Sequence, residues 1–300
     1  MVDQPFPNLI AVDIGNSRIK LGSFDRALAF AEATGRPDPV ALPEPTATLE
    51  IPLAGKSGEF DSRFLDDWLA TQSIASALWL VSSVHRGATG RLTAAVDRWS
   101  DRVGETHVAY QLTTQDIPLA IRVEKPERVG MDRLVGAVAA NRLRRPKRAA
   151  IVIDLGTAVT VDRIDADGAF AGGAILPGIA MAARALHDHT DALPHLPVAL
   201  SGAPPAALGK STEGAIEAGL FWGTVGAVHE LIQRLSESDS AEPDIMVTGG
   251  DSAVLAKILL ERANQHVRHV PHLVLSGIAV VDAASRPRPA AEATAASDHA

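Results

Sequence analysis

Residues 150–164 read AIVIDLGTAVTVDRI, and this stretch decides the fold because it has the pattern of two strands joined by a tight turn. An apolar run precedes Asp154 and an alternating run follows Thr157, as in a buried strand and a half-buried strand of one hairpin. Gly156 would let the backbone approach a bound oxyanion, Thr157 would add a hydroxyl donor, and Asp154 would offer a carboxylate to a cation. The stretch therefore predicts a β-hairpin that carries phosphate and metal chemistry.

The same pattern occurs once before, at residues 9–24, which read LIAVDIGNSRIKLGSF. An apolar strand again leads to an acid at Asp13, a glycine and a hydroxyl follow at Gly15 and Ser17, and alternation continues through Lys20. A single copy has an ordinary interpretation, because Asp and Asn beside Gly are favoured in hairpin turns for backbone reasons. Two copies, each opening one half of the 300-residue chain, favour the functional interpretation.

Composition and charge exclude several classes of protein. The chain is 46% hydrophobic, which is enough apolar material for two lobes of ordinary domain size. A net charge of −8, a pI of about 5.7 and the lack of a basic stripe with interleaved aromatics argue against nucleic acid as a partner. With no cysteine, the chain can form neither a disulfide framework nor a thiolate metal site.

The two ends of the chain predict its location. The first residues lack the charged and apolar regions of a signal peptide, and no apolar run approaches the ~20 residues of a membrane span. We therefore expect a cytoplasmic protein that has no membrane partner.

Residues 285–300, rich in Ala, Ser and Asp, have little to bury and are predicted to be a disordered tail.

Three other segments carry predictions of backbone structure. Residues 36–52 are rich in proline and predict an irregular excursion. Residues 170–178, FAGGAILPG, are too glycine-rich for a surface strand and indicate close backbone approach before a helix. The run His272–Leu275 predicts a closing strand before the last helix.

The Thr248–Gly250 turn favours the approach of a nucleotide, although a bare Gly-Gly is also a common turn.

A second chemical motif is Gly130-Met131-Asp132-Arg133, in the first turn of a predicted helix over residues 129–142. An acid next to a base at a helix start is usually a surface pair or an N-terminal charge arrangement. The alternative is specific: Gly130 leaves room for a ligand, Asp132 serves as a general base, and Arg133 holds an anion with its planar fork. The four residues alone do not decide between the two.

A long helix predicted over residues 215–235 suggests an assembly. Gly219, Gly223 and Gly226 recur in it, and its apolar side chains reach more than one face. Glycines on one helical face permit tight packing, including across a subunit boundary, and two-fold dimers are the commonest oligomers. The alternative is a helix buried inside one subunit.

Taken together, these motifs resemble the type III pantothenate kinase family, a branch of the actin-like ATPase and sugar kinase superfamily. The resemblance extends over about residues 9–282, with motifs in the same order and at similar spacing. The matching segments are Asp13–Ser17 with Lys20, PERVGMDR at 126–133, Asp154–Thr157, Gly172–Gly178, Thr190–Pro194, Gly209–Thr212, Thr248–Gly250 and Pro271–Gly277.

The resemblance implies a fold and a division of the chain. The expected fold is α/β, with two similar ribonuclease H-like and actin-like lobes, each a mixed sheet with flanking helices, and a nucleotide cleft between them. Residues 9–148 would form the N-terminal lobe, with the first phosphate hairpin and the acceptor motif. Residues 149–284 would form the C-terminal lobe, with the second phosphate hairpin and the adenosine turn.

The resemblance also implies an activity, ATP-dependent phosphorylation of pantothenate to 4'-phosphopantothenate in coenzyme A biosynthesis. It implies Mg²⁺ with ATP, a monovalent cation (K⁺ or NH₄⁺), and a homodimer in which the partner helps to form the pantothenate pocket. Asp132 would be the general base, Asp154 would hold the monovalent cation, and Asp13 is a candidate for Mg²⁺. ATP would bind Asp13, Ile14, Gly15, Asn16, Ser17, Arg18, Ile19, Lys20 and Thr157, and pantothenate would bind Gly130, Met131, Asp132, Arg133 and Thr212.

Two departures from the family pattern keep other functions open. Ser17 replaces the usual threonine and keeps the hydroxyl, whereas Val123 stands where the family often has a tyrosine that lines the pantothenate pocket. A kinase of the same fold for another small hydroxy acid is therefore an alternative. A non-catalytic, nucleotide-sensing regulator is a second, but an intact Asp132 argues against it because a sensor needs no base.

Overall fold

The computed structural model of the chain describes residues 6–35, 41–72, 74–196, 203–237, 239–250, 252–262 and 267–286. The predicted disordered tail lies outside the described residues from 287 onward, and so does the segment 36–40 of the predicted irregular excursion.

In the first half of the chain, the described residues form a five-stranded sheet with helices between its strands. Its elements in chain order are β1 (Asn8–Ile14), β2 (Arg18–Asp25), α1 (Arg26–Thr34), β3 (Ala47–Pro52), α2 (Arg63–Gln72), β4 (Ala77–Ser83), α3 (Arg86–Val103) and β5 (His107–Gln111). A connection with short 3₁₀ turns then leads to α4 (Met131–Leu143).

The second half forms another five-stranded sheet. Its elements are β6 (Ala150–Leu155), β7 (Ala158–Ile164), β8 (Phe170–Pro177), α5 (Ile179–Asp188), α6 (Thr212–Ser236), β9 (Asp244–Thr248), α7 (Ser252–Arg262), β10 (Val267–His269) and α8 (Leu273–Ala284).

The two sheets have the same topology. Their strand orders are β3-β2-β1-β4-β5 and β8-β7-β6-β9-β10. In each sheet the first three strands along the chain pair as an antiparallel meander, and the last two join in parallel. The repeat seen in the sequence is therefore a repeat of structure. The predicted fold class, two similar lobes that each contain a mixed sheet with flanking helices, is confirmed.

The central strands are buried on both faces because helices cover both sides of each sheet. On the outer face of the first sheet, Leu65 and Trp68 of α2 and Leu92 of α3 pack on β1 and β4. On the outer face of the second sheet, Phe221 and Val225 of α6 pack on β6 and β7. The inner faces of both sheets share one core with α4 and α8, which lie between them.

Among the described residues, the C-terminal helix returns to the first sheet. Helix α8 packs on α1, β1 and β2 as well as on α4. Its buried Asp282 accepts from Arg26 Nε at 2.9 Å and from Arg26 Nη2 at 2.7 Å, and Arg26 is the first residue of α1. Helix α8 is therefore tied to the start of α1 by a buried ion pair.

Three of the predictions for backbone structure were wrong. Residues 170–177 form the edge strand β8, and the expected close approach explains its glycines, since a Cβ on Gly173 would collide with Val161 O. Residues 41–46 are irregular as predicted, but residues 47–52 form the edge strand β3, where proline at a strand end costs no ladder bond. Residues 273–275 begin α8, because an apolar run cannot by itself distinguish a buried strand from a buried helix. Within the described residues, none of the helices is both long enough and apolar enough to cross a membrane.

Candidate active site

The tips of the two hairpins meet. The Ser17 and Thr157 hydroxyls are hydrogen-bonded at 2.8 Å, which joins the β1–β2 turn of the first lobe to the β6–β7 turn of the second. Both turns are closed by a glycine amide: Gly15 N donates to Arg18 O at 3.0 Å, and Gly156 N donates to Ala158 O at 3.1 Å. The two predicted phosphate hairpins therefore lie side by side.

Asp13 lies near the end of β1, opposite Lys20 on β2 and Ser82 on β4. Within the described residues its buried Oδ1 accepts no hydrogen bond, and the buried Ser82 hydroxyl opposite it also has no hydrogen-bond partner. Burial raises the pKa of Asp13 to about 7, with the charges of Asp132 and Asp154 adding to it and Lys20 opposing it. A buried carboxylate in this state is stabilised by a cation.

Asp154 holds the equivalent position on β6, opposite Thr160 on β7. Burial raises its pKa to about 6, against the lowering effect of Lys20. Gly249 lies against this carboxylate with φ +104°, and a Cβ there would lie 2.6 Å from Asp154 Oδ1. The Thr248–Gly250 turn therefore needs glycine both for its backbone conformation and for its approach to Asp154.

Asp132 is placed by the start of α4, where Gly130 is the N-cap. Its Oδ1 accepts from Arg133 N at 2.9 Å, and a Cβ on Gly130 would lie only 2.5 Å from that oxygen. Burial raises the pKa of Asp132, while the Arg133 amide and guanidinium lower it. The first turn of α4 thus brings a third carboxylate to Asp13 and Asp154, and it comes from the connection between the lobes.

The Arg133 guanidinium is bound by Asp162 of β7, a residue that sequence reasoning did not assign to the site. Arg133 Nε donates to Asp162 Oδ1 at 2.9 Å and to Oδ2 at 3.1 Å, and Nη2 contacts Oδ1 more closely. The available signal was its strand position: Asp162 follows Thr160 on the face of β7 that also carries the partner of Asp154.

The remaining predicted site residues differ in how exposed their side chains are. Ile14 and Ile19 are fully buried in the core under α2 and α3, so only their backbones can reach a nucleotide. Asn16 and Arg18 are exposed at the turn, where Arg18 pairs with Glu50 at 2.8 Å. Met131 is buried at the start of α4. Thr212, exposed at the start of α6, is linked to the carboxylates by no hydrogen bond that the structure describes.

The carboxylate oxygens of this site suit a cation that is also coordinated by the phosphates of a bound substrate. Within the described residues no group of three or more acidic or histidine side chains could hold a metal alone. Mg²⁺ usually takes one or two carboxylates together with substrate phosphates, and the unpartnered buried oxygen of Asp13 is suited to this role. A cavity of about 570 Å³ lies elsewhere, between Ser57–Ser62 and α3, and contains none of these carboxylates.

Comparison with known proteins places these features in a family context. The sequence pattern of the family described as Type III pantothenate kinase matches residues 9–234. The Type III pantothenate kinase of Paramagnetospirillum magneticum is 42% identical over 142 residues, covering 47% of this chain and 53% of that protein. The one from Rhodopirellula baltica is 38% identical over 200 residues, covering 66% and 69%.

The chain spans about half to two thirds of the length of such relatives, for example 63% of the protein from Rhodospirillum rubrum. Among solved structures, the activator of the 2-hydroxyisocaproyl-CoA dehydratase from Clostridium difficile has a TM-score of 0.43 at 13% identity, covering 92% of this chain and 94% of that one.

Proposed function

The chain belongs to the type III pantothenate kinase family, and on that basis we propose that it transfers the γ-phosphoryl group of ATP to the primary hydroxyl of pantothenate. This reaction yields 4'-phosphopantothenate in the first step of coenzyme A biosynthesis. The observation that carries the proposal is the convergence of Asp13, Asp154 and Asp132, each half-buried and with a raised pKa, beside two joined hairpin turns.

Each carboxylate has a different role in this proposal. Asp132 accepts the proton of the acceptor hydroxyl, and its raised pKa brings it closer to the operating pH of a general base. Asp13 holds Mg²⁺, and Asp154 holds K⁺ or NH₄⁺, so that both buried charges are neutralised when the site is filled. ATP with Mg²⁺ supplies the phosphoryl group and charge neutralisation, and the chain contributes positioning through Lys20 and the turn amides.

The nucleotide and acceptor sites draw on different parts of the chain. The exposed Ser17 and Thr157 hydroxyls lie at the hairpin tips, where they can contact phosphates, while the Thr248–Gly250 turn flanks Asp154. The acceptor would bind on the other side of Asp132, against Gly130–Arg133.

A homodimer is part of the same proposal. Gly219, Gly223 and Gly226 of α6 face outward, and the second half of the chain also exposes the apolar residues Ile175, Met181 and Leu208. Thr212 is also exposed, which suits a contact with pantothenate bound in the partner's pocket. The predicted cytoplasmic location rests on the sequence alone.

A kinase assay with the Asp132→Asn variant tests the proposed function. We expect kcat for pantothenate phosphorylation to fall by about 10²- to 10⁴-fold, the usual range for a lost general base, while ATP affinity is kept. The matched control is Asp97→Asn, an exposed acid on α3 that should change neither quantity. Turnover by Asp132→Asn within a few-fold of wild type would remove this residue from the mechanism.

The same assay separates the alternatives. A panel of small hydroxy acids reports whether Val123 selects another acceptor, and phosphorylation of none of them would favour a nucleotide-sensing regulator. Rates in Na⁺, K⁺ and NH₄⁺ at equal ionic strength test Asp154, since equal rates would contradict a monovalent cation at this position.

A further inference from the structure

The Arg133–Asp162 pair is an arrangement that the roles given above do not explain. Asp162 is 1% exposed, and the Arg133 side chain is 15% exposed. Arg133 uses Nε and Nη2 to bind both carboxylate oxygens of Asp162. A guanidinium has five N–H donors, so this edge-on contact leaves donors on Nη1 for another group.

The surroundings of the pair are shaped to hold it. Gly173 lies opposite Asp162 in the β7–β8 ladder, and a Cβ on Gly173 would lie 2.6 Å from Asp162 Oδ1. On the other side, the Arg133 guanidinium carbon lies 5.7 Å from the ring centroid of the fully buried Phe170. The glycine-rich start of β8 therefore makes room for the carboxylate, and the aromatic ring supports the cation.

The position of the pair relates it to the chemistry. Asp162 lies on the face of β7 that carries Thr160, the cross-strand partner of Asp154. Arg133 follows Asp132 in the first turn of α4. The ion pair therefore ties the start of α4 to the sheet that carries Asp154, and it fixes a cation beside the carboxylate assigned as the base.

We propose, in an extension that rests on the proposed function, that Asp162 is a positioning residue that holds Arg133 by one edge so that its remaining donors face the carboxylate of the acceptor. Without Asp162 the long Arg133 side chain has several rotamers and a nearby alternative partner in Asp132. With Asp162, the guanidinium has one orientation before the acceptor arrives. Binding then requires no ordering of this side chain, which is the general benefit of preorganisation.

The Asp162→Asn variant of the full chain tests this assignment by steady-state kinetics. We expect the KM for pantothenate to rise about 10- to 100-fold, the loss that follows when a charge-assisted hydrogen bond is misplaced. The KM for ATP and kcat at saturation should stay within about threefold of wild type. Because Asp162 acts through the Arg133 guanidinium, its loss should matter little once Arg133 is replaced. The double variant Asp162→Asn/Arg133→Lys should therefore have a pantothenate KM little higher than that of Arg133→Lys alone.

Asp239→Asn is the matched control. Asp239 forms a comparable pair with Arg163, at 2.6 and 2.7 Å, with side chains 13% and 16% exposed. This variant should lower the melting temperature and leave both KM values unchanged, which distinguishes a lost ion pair from a lost acceptor contact.

Several outcomes would overturn the assignment. A pantothenate KM in Asp162→Asn equal to that of Asp239→Asn would do so, as would a parallel loss in all parameters that tracks the folded fraction. If Asp162→Asn cannot be purified folded, Asp162→Glu replaces it, since this variant keeps the charge but displaces it. Asp162→Glu should show the same selective rise in the pantothenate KM, and an unchanged pantothenate KM would contradict the positioning role of Asp162. A wild-type chain that does not phosphorylate pantothenate would overturn the proposed function and this extension together, whereas an active wild type with an unaffected variant overturns the extension alone.

Discussion

At the scale of single residues, the unusual feature is a carboxyl group whose ionisation opposes folding. The pKa of Asp13 is raised to about 7 from an ordinary value of 3.8, chiefly because the group is buried. Between these two values the folded chain keeps a proton that the unfolded chain has lost. The corresponding stability is fully present below about pH 3.8 and is lost as the pH rises through about 7. In the free protein, Asp13 therefore costs stability at alkaline pH, and a bound cation would offset that cost.

The Asp13→Asn variant should therefore be more stable than wild type at about pH 8 when nucleotide and Mg²⁺ are absent. A pKa shift of this size corresponds to a gain of at most about 4 kcal/mol in the free energy of unfolding. This gain should shrink as the pH falls toward about 4. Thermal melts across this pH range measure it, with Asp97→Asn as the exposed control. An Asp13→Asn chain that melts below wild type at every pH would contradict the explanation, because the carboxyl would then be stabilising.

At the scale of elements, helix α6 has a face that the described residues of its own chain leave uncovered. A Cβ built on Gly219, Gly223 or Gly226 meets no atom within 4 Å, and all three glycines are exposed. The opposite face is covered, because Phe221, Val225 and Val228 are buried in the outer core of the second sheet. A helix that served only its own lobe would gain stability from alanine at these positions. The three glycines are accounted for if a second copy packs closely against them.

Replacing all three glycines with alanine should therefore weaken the proposed dimer. We expect the dissociation constant to rise at least about tenfold, and specific activity to fall with it on dilution, because Cβ atoms would hold the two helices apart. Light scattering and activity across a dilution series measure this. Gly90→Ala on α3, where a Cβ also meets nothing within 4 Å, is the control and should only stabilise the chain by about 0.5–1 kcal/mol. A triple variant that is more stable and equally associated would contradict packing across this face.

At the scale of the whole molecule, the two lobes share one hydrophobic core. Helices α4 and α8 lie between the sheets and contribute to a single inner core with residues of both. The carboxylate of Asp282 on α8 binds Arg26 of the first lobe, and it also accepts from Arg286 at 2.7 Å. Because the last helix completes the core of the first sheet, we expect the two lobes to unfold together.

The Asp282→Asn variant tests this coupling. Removing one partner from a buried ion pair costs about 3–5 kcal/mol, so the melting temperature should fall clearly while calorimetry still shows one transition. The surface pair between Asp66 and Arg102, at 3.1 Å, provides the control, and Asp66→Asn should cost less than about 1 kcal/mol. Two transitions in Asp282→Asn, only one of them shifted, would mean that the lobes fold independently.

The sequence by itself determined the parts of the protein that depend on local pattern. The two hairpins could be recognised because an apolar run, an acid, a glycine and a hydroxyl lie within a few residues of each other in both copies. The position of Asp132 at a helix start followed from an equally local signal. The hairpins and the helix start are features that strand periodicity and turn chemistry specify without reference to the rest of the chain. The topology of the two lobes was expected from the resemblance to a known family.

Only the tertiary structure decided the features that join distant segments. Asp162 had the local appearance of a polar residue in an alternating strand, and its role depends on Arg133, which lies 29 positions earlier in the chain. The apolar run at the start of α8 was mistaken for a strand because burial between two sheets removes the amphipathic pattern of a helix. The glycines of β8 could be recognised as a close approach, but the carboxylate that they accommodate could not be identified. Local pattern specifies elements, whereas a buried ion pair exists only once packing has brought its two halves together and excluded water from both.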